Sequence, residues 1–241
     1  MRAFLTAAWR NLVMLNYAVD PQLLRAYVPR GTELDSWRDT TFVSLVGFLF
    51  DDTRLLGIPV PGHRTFEEVN LRFYVRRDAG GESRRGVTFI REIVPRAAIA
   101  LVARLAYNEP YVALPMRHQY GHVASGGAPG VVEYEWKLRS GWAGMRVQPT
   151  GLGATVEAGS QEEFITEHYW GYTRQRNGST VEYRVEHPQW RVWTVQAPSL
   201  TGHLAPLYGP KLAQILSGTP DSAFLADGSS VTVYAPSRLA R

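Results

Sequence analysis

The stretch FEEVNLRFYVRR, residues 66–77, alternates polar and apolar side chains with the period of a β-strand. Successive side chains of a strand point to opposite faces of a sheet. The apolar face holds Val69, Leu71, Phe73 and Val75. The polar face holds Glu68, Asn70, Arg72, Tyr74 and Arg76. Such a polar row is typical of a sheet surface that faces solvent. If the sheet closed into a barrel with this face inward, the same row would line a cavity.

The flanking segments predict a sheet built mainly from hairpins. GVTFIREIV, residues 86–94, is expected to pair with the quoted stretch around a turn at residues 78–83. TFVSLVGFLF, residues 41–50, is apolar on both faces, which indicates a buried strand. We therefore predict an α+β fold: a curled antiparallel β-sheet that closes into a cone or barrel around a pocket, with a few short flanking helices.

Two segments predict helices. PRAAIALVARLAY, residues 95–107, begins with proline and continues with apolar residues at helical spacing. We expect this helix to cover the sheet, with Leu71 and Phe73 packed beneath it. Ser160 and Glu163 have the spacing of a capping box, which predicts the start of a short helix there.

Length and composition bound the class of protein. The chain has 241 residues, of which 45% are hydrophobic, enough for one large domain or two small ones. We predict a single domain over residues 1–241, because strand-like segments continue on both sides of the glycine-rich segment at residues 123–130. The absence of cysteine excludes disulfides, zinc–thiolate sites and a cysteine nucleophile.

The sequence also sets expectations about location and partners. The first residues lack a cleavable leader pattern, and no run of about 18 uncharged apolar residues is present, so we expect a cytoplasmic protein without a membrane partner. The formal charge is +4 and the arginines are scattered, so we expect no specific nucleic-acid binding. Lys137 and Lys211 are the only lysines. The oligomeric state stays open.

The best candidate site is the polar row together with Glu92 on the pairing strand. An arginine beside a carboxylate keeps both ionised, and a second carboxylate nearby has its pKa pushed upward. Such a group can give or take a proton near neutral pH. Glu68, Asn70, Arg72 and Glu92 would then form either a functional cluster or a structural ion-pair network inside a barrel.

Other patterns do not predict a site. No nucleotide-binding, serine-hydrolase or zinc-protease motif occurs, so we expect no cofactor. His118 and His122 are four residues apart, but the segment contains Pro115 and Gly121 and is not helical in pattern, so we expect no metal. His187 is interpreted as a structural imidazole. One aromatic group is interpreted as core: Tyr169, Trp170, Tyr172, Trp190 and Trp193.

Several segments together resemble a known family. They are WRNLVMLNYAVDPQLLRAYVPRGTELD at residues 9–35, FEEVNLRFYV at 66–75, GVTFIREIV at 86–94, EHYWGYT at 167–173 and VEHPQW at 185–190. Their order and spacing are similar to those of the YqjF-like family, domain of unknown function 2071, in the acetoacetate decarboxylase-like superfamily. The resemblance implies a cone of antiparallel strands around a small-molecule cavity.

The resemblance also implies site residues. Glu68 in FEEV, and Arg91 with Glu92 in REI, match the carboxylate and Arg-Glu positions of superfamily decarboxylases. The superfamily's Schiff-base lysine follows a proline, whereas here Tyr111 follows Pro110. The resemblance therefore implies the fold but not Schiff-base decarboxylation.

We expect the protein to bind a small organic molecule, a carboxylate held by Arg72, and to act on it by acid–base chemistry. The candidate catalytic residues are Glu68 and Glu92. The candidate substrate-binding residues are Asn70, Arg72, Arg91 and Tyr111. The alternative is a non-catalytic interaction or structural protein with a polar interior, and a weaker one is nucleic-acid binding through arginine.

Overall fold

A computed structural model describes residues 2–121 and 130–239. Its three α-helices are α1 (Ala97–Tyr107), α2 (Gln161–Thr166) and α3 (Ala205–Leu216). The strands are β1 (Ala3–Ala18), β2 (Glu33–Leu34), β3 (Phe42–Leu55), β4 (Ile58–Pro59), β5 (Phe66–Asp78), β6 (Ser83–Val94), β7 (Tyr111–Ala113), β8 (Met116–Tyr120), β9 (Val132–Leu138), β10 (Gly141–Pro149), β11 (Ala154–Thr155), β12 (Trp170–Arg174), β13 (Thr180–Glu186), β14 (Arg191–Thr201), β15 (Ser222–Ala226), β16 (Ser230–Tyr234) and β17 (Ser237–Arg238). His122 and residues 123–129 of the glycine-rich segment lie outside the described residues, and only the last residue of that segment, Gly130, is described.

Seven strands close into a barrel. Going round it, the order is β1, β3, β5, β6, β12, β13 and β16, and β16 pairs back with β1. All neighbours are antiparallel except β6 and β12, which are parallel. This confirms the predicted fold class of a curled, mainly antiparallel sheet that closes around a pocket.

A second layer packs on the outside of the barrel. It consists of β8, β9, β10 and β14, which are antiparallel, and β15 joins it to the barrel by pairing with both β14 and β1. Gly47 of β3 lies at the contact between the layers, where an added Cβ would approach Met145 Sδ to 2.8 Å. The close approach of the two layers therefore depends on the missing side chain at this position.

The alternation along the barrel strands separates two apolar cores. On β3, Val43 and Leu45 face the second layer, whereas Phe48 and Phe50 belong to the core inside the barrel. On β5 the predicted apolar face, including Leu71 and Phe73, belongs to the outer core. The polar face of β5 therefore points into the barrel, as strand geometry requires.

The predicted hairpin and helices are present. β5 pairs with β6 on either side of the expected turn at residues 78–83. At the start of α2, Ser160 Oγ accepts a hydrogen bond from the backbone amide of Glu163. No helix within the described ranges combines the length and hydropathy needed to cross a bilayer.

The expected partner of Leu71 and Phe73 was wrong. These side chains belong to the outer core, which also contains Leu212 and Leu216 of α3, whereas Ala100 of α1 belongs to the inner core. Alternation assigns a side chain to one face of the sheet, but it does not say which helix returns to cover that face.

Candidate functional site

The barrel encloses a cavity of about 240 Å³. Much of its wall is aromatic, formed by Phe4, Trp9, Phe48, Phe50, Phe66, Phe89, Tyr107, Trp170 and Trp190. Polar side chains from the quoted strand, Glu68, Asn70 and Arg72, also line it. An apolar cavity with a few converging polar groups is the usual form of a small-molecule site.

Glu68 is held by two hydrogen bonds. Asn70 Nδ2 donates to its Oε1 at 2.9 Å and Tyr111 Oη donates to its Oε2 at 3.0 Å. Burial raises the pKa of Glu68 to about 7, against the opposing effects of these two hydrogen bonds and of the Arg72 charge. The carboxyl therefore exchanges its proton near neutral pH.

Glu92 lies opposite Asn70 on β6 and beside Tyr111 on β7. Its residue surface is 1% exposed, and its Oε2 has no hydrogen-bond partner. Burial raises the pKa of Glu92 well above its usual value, and the nearby Glu109 and Glu68 charges raise it further. Burial thus disfavours the charged form of this carboxyl, against the effect of a hydrogen bond from Tyr111.

Arg72 is buried but is not part of a close ion pair. Its Nη2 donates to the Ile165 carbonyl at 3.0 Å, and its Nε has no partner. Among the described residues no carboxylate oxygen lies within 4.0 Å of its guanidinium. The arrangement differs from the expected ion-pair network, because Arg72 acts on Glu68 only as a nearby charge.

Arg91 does not join the other candidate residues, so its expected role in the pocket needs correction. Adjacent residues on a strand project to opposite faces, and Glu92 takes the inward position. Arg91 Nε instead donates to the Leu207 carbonyl in α3 at 3.4 Å, close to the break in that helix at Gly209. The structure thus places Arg91 between the barrel and α3.

Glu109 is a pocket residue that sequence reasoning missed. Its Oε1 accepts hydrogen bonds from Tyr183 Oη at 2.5 Å and Thr173 Oγ1 at 3.3 Å. Burial raises the pKa of Glu109 to about 7, and the Glu68 charge adds to the rise. The sequence feature that could have identified Glu109 is its position two residues before Tyr111, in Asn-Glu-Pro.

His168 was also missed. It lines the cavity, and neither ring nitrogen has a hydrogen-bond partner. Its Nε2 lies 3.9 Å from Asp35 Oδ2, which is too long for a hydrogen bond. Burial lowers the pKa of His168 to about 4, so the ring is neutral at pH 7. Burial opposes ionisation of Asp35, but Arg85 Nε donates to its Oδ2 at 2.7 Å and holds the pKa of Asp35 below its usual value.

The aromatic residues divide between the two cores. Trp170 and Trp190 line the cavity, whereas Tyr172 packs in the outer core with Trp193 against it. His187 also lines the cavity and stacks on Trp190 with ring centroids 4.1 Å apart. Trp170 and Trp190 are therefore buried, as interpreted, and also form part of the cavity wall with His187.

The two lysines and His118 lie away from the cavity. Lys137 and Lys211 are exposed, and neither lines the pocket. His118 Nδ1 contacts Glu67 Oε1 at 2.6 Å on the outside, and His122, which was not expected to form a metal site with it, is beyond the described ranges. The pocket therefore has no lysine amine.

Comparisons with known proteins agree with this fold. The family model described as "Uncharacterized conserved protein", DUF2071, matches residues 6–230. YqjF of Bacillus subtilis (strain 168) is 28% identical over 189 residues, covering 78% of this chain and 73% of that protein. These matches confirm the resemblance found in the sequence.

Solved structures share the architecture. Acetoacetate decarboxylase from Legionella pneumophila matches with a TM-score of 0.65 and 16% identity, over 98% of this chain and 87% of that one. The enduracididine biosynthesis enzyme MppR complexed with pyruvate matches with a TM-score of 0.70 and 14% identity, over 100% and 91%. An acetoacetate decarboxylase-like enzyme from Sphingomonas wittichii RW1 has a TM-score of 0.65 and 14% identity, over 99% and 94%. At these identities the likeness establishes the fold alone.

Proposed function

The chain belongs to the DUF2071 family, and from that premise we propose that its barrel binds a small organic carboxylate and acts on it by acid–base chemistry. Arg72 holds the carboxylate, Glu68 and Glu92 are the proton-transferring groups, and Asn70 and Tyr111 position the substrate and Glu68. No Schiff base forms.

The proposal rests on the positions of the buried polar atoms that have no hydrogen-bond partner. Most buried side-chain nitrogen and oxygen atoms without a partner, among the described residues, belong to residues that line this cavity. They are in Trp9, Thr53, Asn70, Arg72, Glu92 and His168. A buried polar atom without a hydrogen bond costs about 1–3 kcal/mol. A bound polar molecule would supply the missing partners and offset that cost.

Arg72 favours an anion at its end of the cavity. Arg72 as a whole residue is 9% exposed, and the Nε of its guanidinium is a donor without a hydrogen-bond partner. Guanidinium binds carboxylates by charge-assisted hydrogen bonds, which are stronger than neutral ones. Glu68, with its pKa near 7, can then give or take a proton without a large free-energy cost.

The lysine positions argue against an imine mechanism. An amine nucleophile must lie in the pocket and be neutral near pH 7. Tyr111 occupies the place of the superfamily lysine, and its hydroxyl donates to Glu68. Treatment with acetoacetate and borohydride should therefore give no specific adduct by intact mass. An adduct mapped to Lys137 or Lys211, and lost on its replacement with arginine, would restore the imine mechanism.

Binding is tested with a panel of small carboxylates: acetate, pyruvate, acetoacetate, butanoate and 3-methylbenzoate. A member present at 100 times its Kd should stabilise the fold by about 2.7 kcal/mol. Arg72→Gln should abolish the stabilisation, whereas Arg76→Gln, an exposed arginine on the same strand, should retain it. If no carboxylate stabilises the wild-type protein, a structural role for the polar interior is favoured instead.

A further inference from the structure

We propose that the acidic part of the cavity receives an ammonium group, so that the substrate class is an amino-carboxylate with its carboxylate at Arg72. The inference rests on the proposed function and adds a second recognition element to it. It follows from the polarity of the unpaired atoms along β5 and β6.

Two hydrogen-bond acceptors at the acidic end have no donor. Asn70 is 2% exposed and lines the cavity, and because its Nδ2 donates to Glu68, its buried Oδ1 has no partner. Glu92, directly opposite on β6, has an unpaired Oε2. Two adjacent buried acceptors require a group with several donors, and an ammonium has three.

The charge of this end favours the same group. Glu68, Glu92 and Glu109 are each less than 10% exposed; ionised Glu68 raises the pKa of both Glu92 and Glu109, and ionised Glu109 raises that of Glu92. A bound cation would favour their ionised forms and remove the repulsion among them. A neutral hydroxyl could fill the hydrogen bonds but would leave the charges uncompensated.

The other end has the opposite polarity. Arg72 lies two residues beyond Asn70 on the same face of β5, which places their Cα atoms about 6.6 Å apart along the strand. Its unpaired atom is a donor, Nε. The cavity therefore presents acceptors and a donor side by side, which matches a molecule that carries both an ammonium and a carboxylate.

The test compares matched ligands by calorimetry at pH 7.5. The pairs are 3-(aminomethyl)benzoate with 3-methylbenzoate, and 4-aminobutanoate with butanoate. In at least one pair the amino member should bind tenfold or more tightly than its deaminated partner. Glu92→Gln should reduce that preference to less than threefold, and Glu135→Gln, on the outer layer, should leave it intact.

The pH dependence gives a second test that needs no variant. From pH 5.5 to 8 the carboxyls with pKa near 7 ionise, so the amino member should bind more tightly as pH rises and the deaminated member less tightly. The other titratable or charged groups that line the cavity are Tyr107, Tyr111, Tyr183, His63, His168, His187 and Arg72. Burial lowers the pKa of His168 and His187 and raises the pKa of the three tyrosines.

The outcomes separate the two proposals. If carboxylates bind but no amino member is preferred, or if both members weaken with rising pH, the ammonium site is overturned and the carboxylate function stands. If neither member of any pair binds to the wild-type protein, both proposals fail. A preference that survives in Glu92→Gln would also overturn the assignment.

Discussion

Glu68 illustrates how one carboxyl in this pocket is set by its immediate neighbours. Desolvation disfavours the charged form, and the donors Asn70 and Tyr111 favour it. The pKa of about 7 is the balance of these effects. Changing one donor should therefore move the pKa in a direction that can be stated in advance.

Replacing Tyr111 with phenylalanine should raise the pKa of Glu68 above 7. The hydroxyl donates to Glu68 Oε2, and a hydrogen bond to the carboxylate favours the ionised form. Carbon-13 NMR of labelled glutamate, assigned with Glu68→Gln, measures the shift. Tyr208→Phe removes a buried hydroxyl without a partner outside the cavity and should leave the Glu68 pKa unchanged. An unchanged pKa in Tyr111→Phe would contradict the assignment.

Arg72→Ala should lower the free energy of unfolding by about 1–3 kcal/mol, because the buried Ile165 carbonyl loses its donor. A broken buried ion pair would cost more, about 3–5 kcal/mol. Urea denaturation of ligand-free protein distinguishes the two. Arg76→Ala, which breaks an exposed pair with Glu33, should cost about 0–1 kcal/mol. A loss in the higher range would favour an ion-pair role for Arg72.

At the residue scale the sequence predicted the inward row of β5 but only part of the pocket. Alternation was enough to place Glu68, Asn70 and Arg72 on one face. Asp35 and His168 could not be paired in this way, because they are separated by more than a hundred residues and meet only when β12 joins β6. The same alternation, applied to Arg91 and Glu92, excludes Arg91 from the cavity.

At the scale of elements, local hairpins were predictable and the packing of helices was not. The turn at residues 78–83 brings β5 and β6 together without help from the rest of the chain. The outer core that contains Leu71 is completed by α3 rather than α1, through residues near position 212 that are distant in sequence. Periodicity carries no information about such distant contacts.

Gly171→Ala in β12 should destabilise the protein by about 1–3 kcal/mol through overpacking. An added Cβ would come within 2.1 Å of the Tyr183 ring, which lies against the glycine. The hydroxyl of Tyr183 donates to Glu109. Guanidinium denaturation measures the loss. Gly144→Ala is the matched control in the second layer, because its Cβ would come no nearer than 3.0 Å to the flexible Glu135 side chain and 3.4 Å to the Tyr134 carbonyl. Equal stability of the two variants would contradict this account of the barrel wall.

For the whole molecule, the closed barrel depends on pairings that no local pattern reveals. β1 pairs with β16, and β6 pairs in parallel with β12 over Trp170–Gly86 and Gly171–Val87. The sequence predicted strands and curvature, and the resemblance implied a cone. The order of the seven strands came only from the structure.

The buried carboxyls should make the ligand-free protein less stable as pH rises from about 4.5 to 7. The folded pKa of Glu68 and Glu109 is about 7, against an ordinary 4.5, so the folded state holds protons that the unfolded state has released. This stabilisation is full below pH 4.5 and is lost as pH rises through 7. Asp35 acts oppositely, losing its contribution as pH falls toward 2.

The measurement is the free energy of unfolding between pH 4.5 and 7.5 for wild type and Glu109→Gln. The difference between them should change by about 3 kcal/mol over this range. Glu157→Gln, an exposed position, supplies the background. A difference that does not vary with pH would show that Glu109 titrates alike in the folded and unfolded chain.

The β1–β16 and β6–β12 pairings also determine when the barrel can close during synthesis on the ribosome. β1, β3, β5 and β6 leave the exit tunnel first, as a sheet whose two edges are still open. At 5–20 residues per second, synthesis of the chain from Val94 to Ser230 takes on the order of ten seconds. During that interval the nascent protein exposes both unpaired edges and the aromatic lining, a state in which strands readily join other chains. The cavity therefore cannot close during synthesis until β16 has emerged.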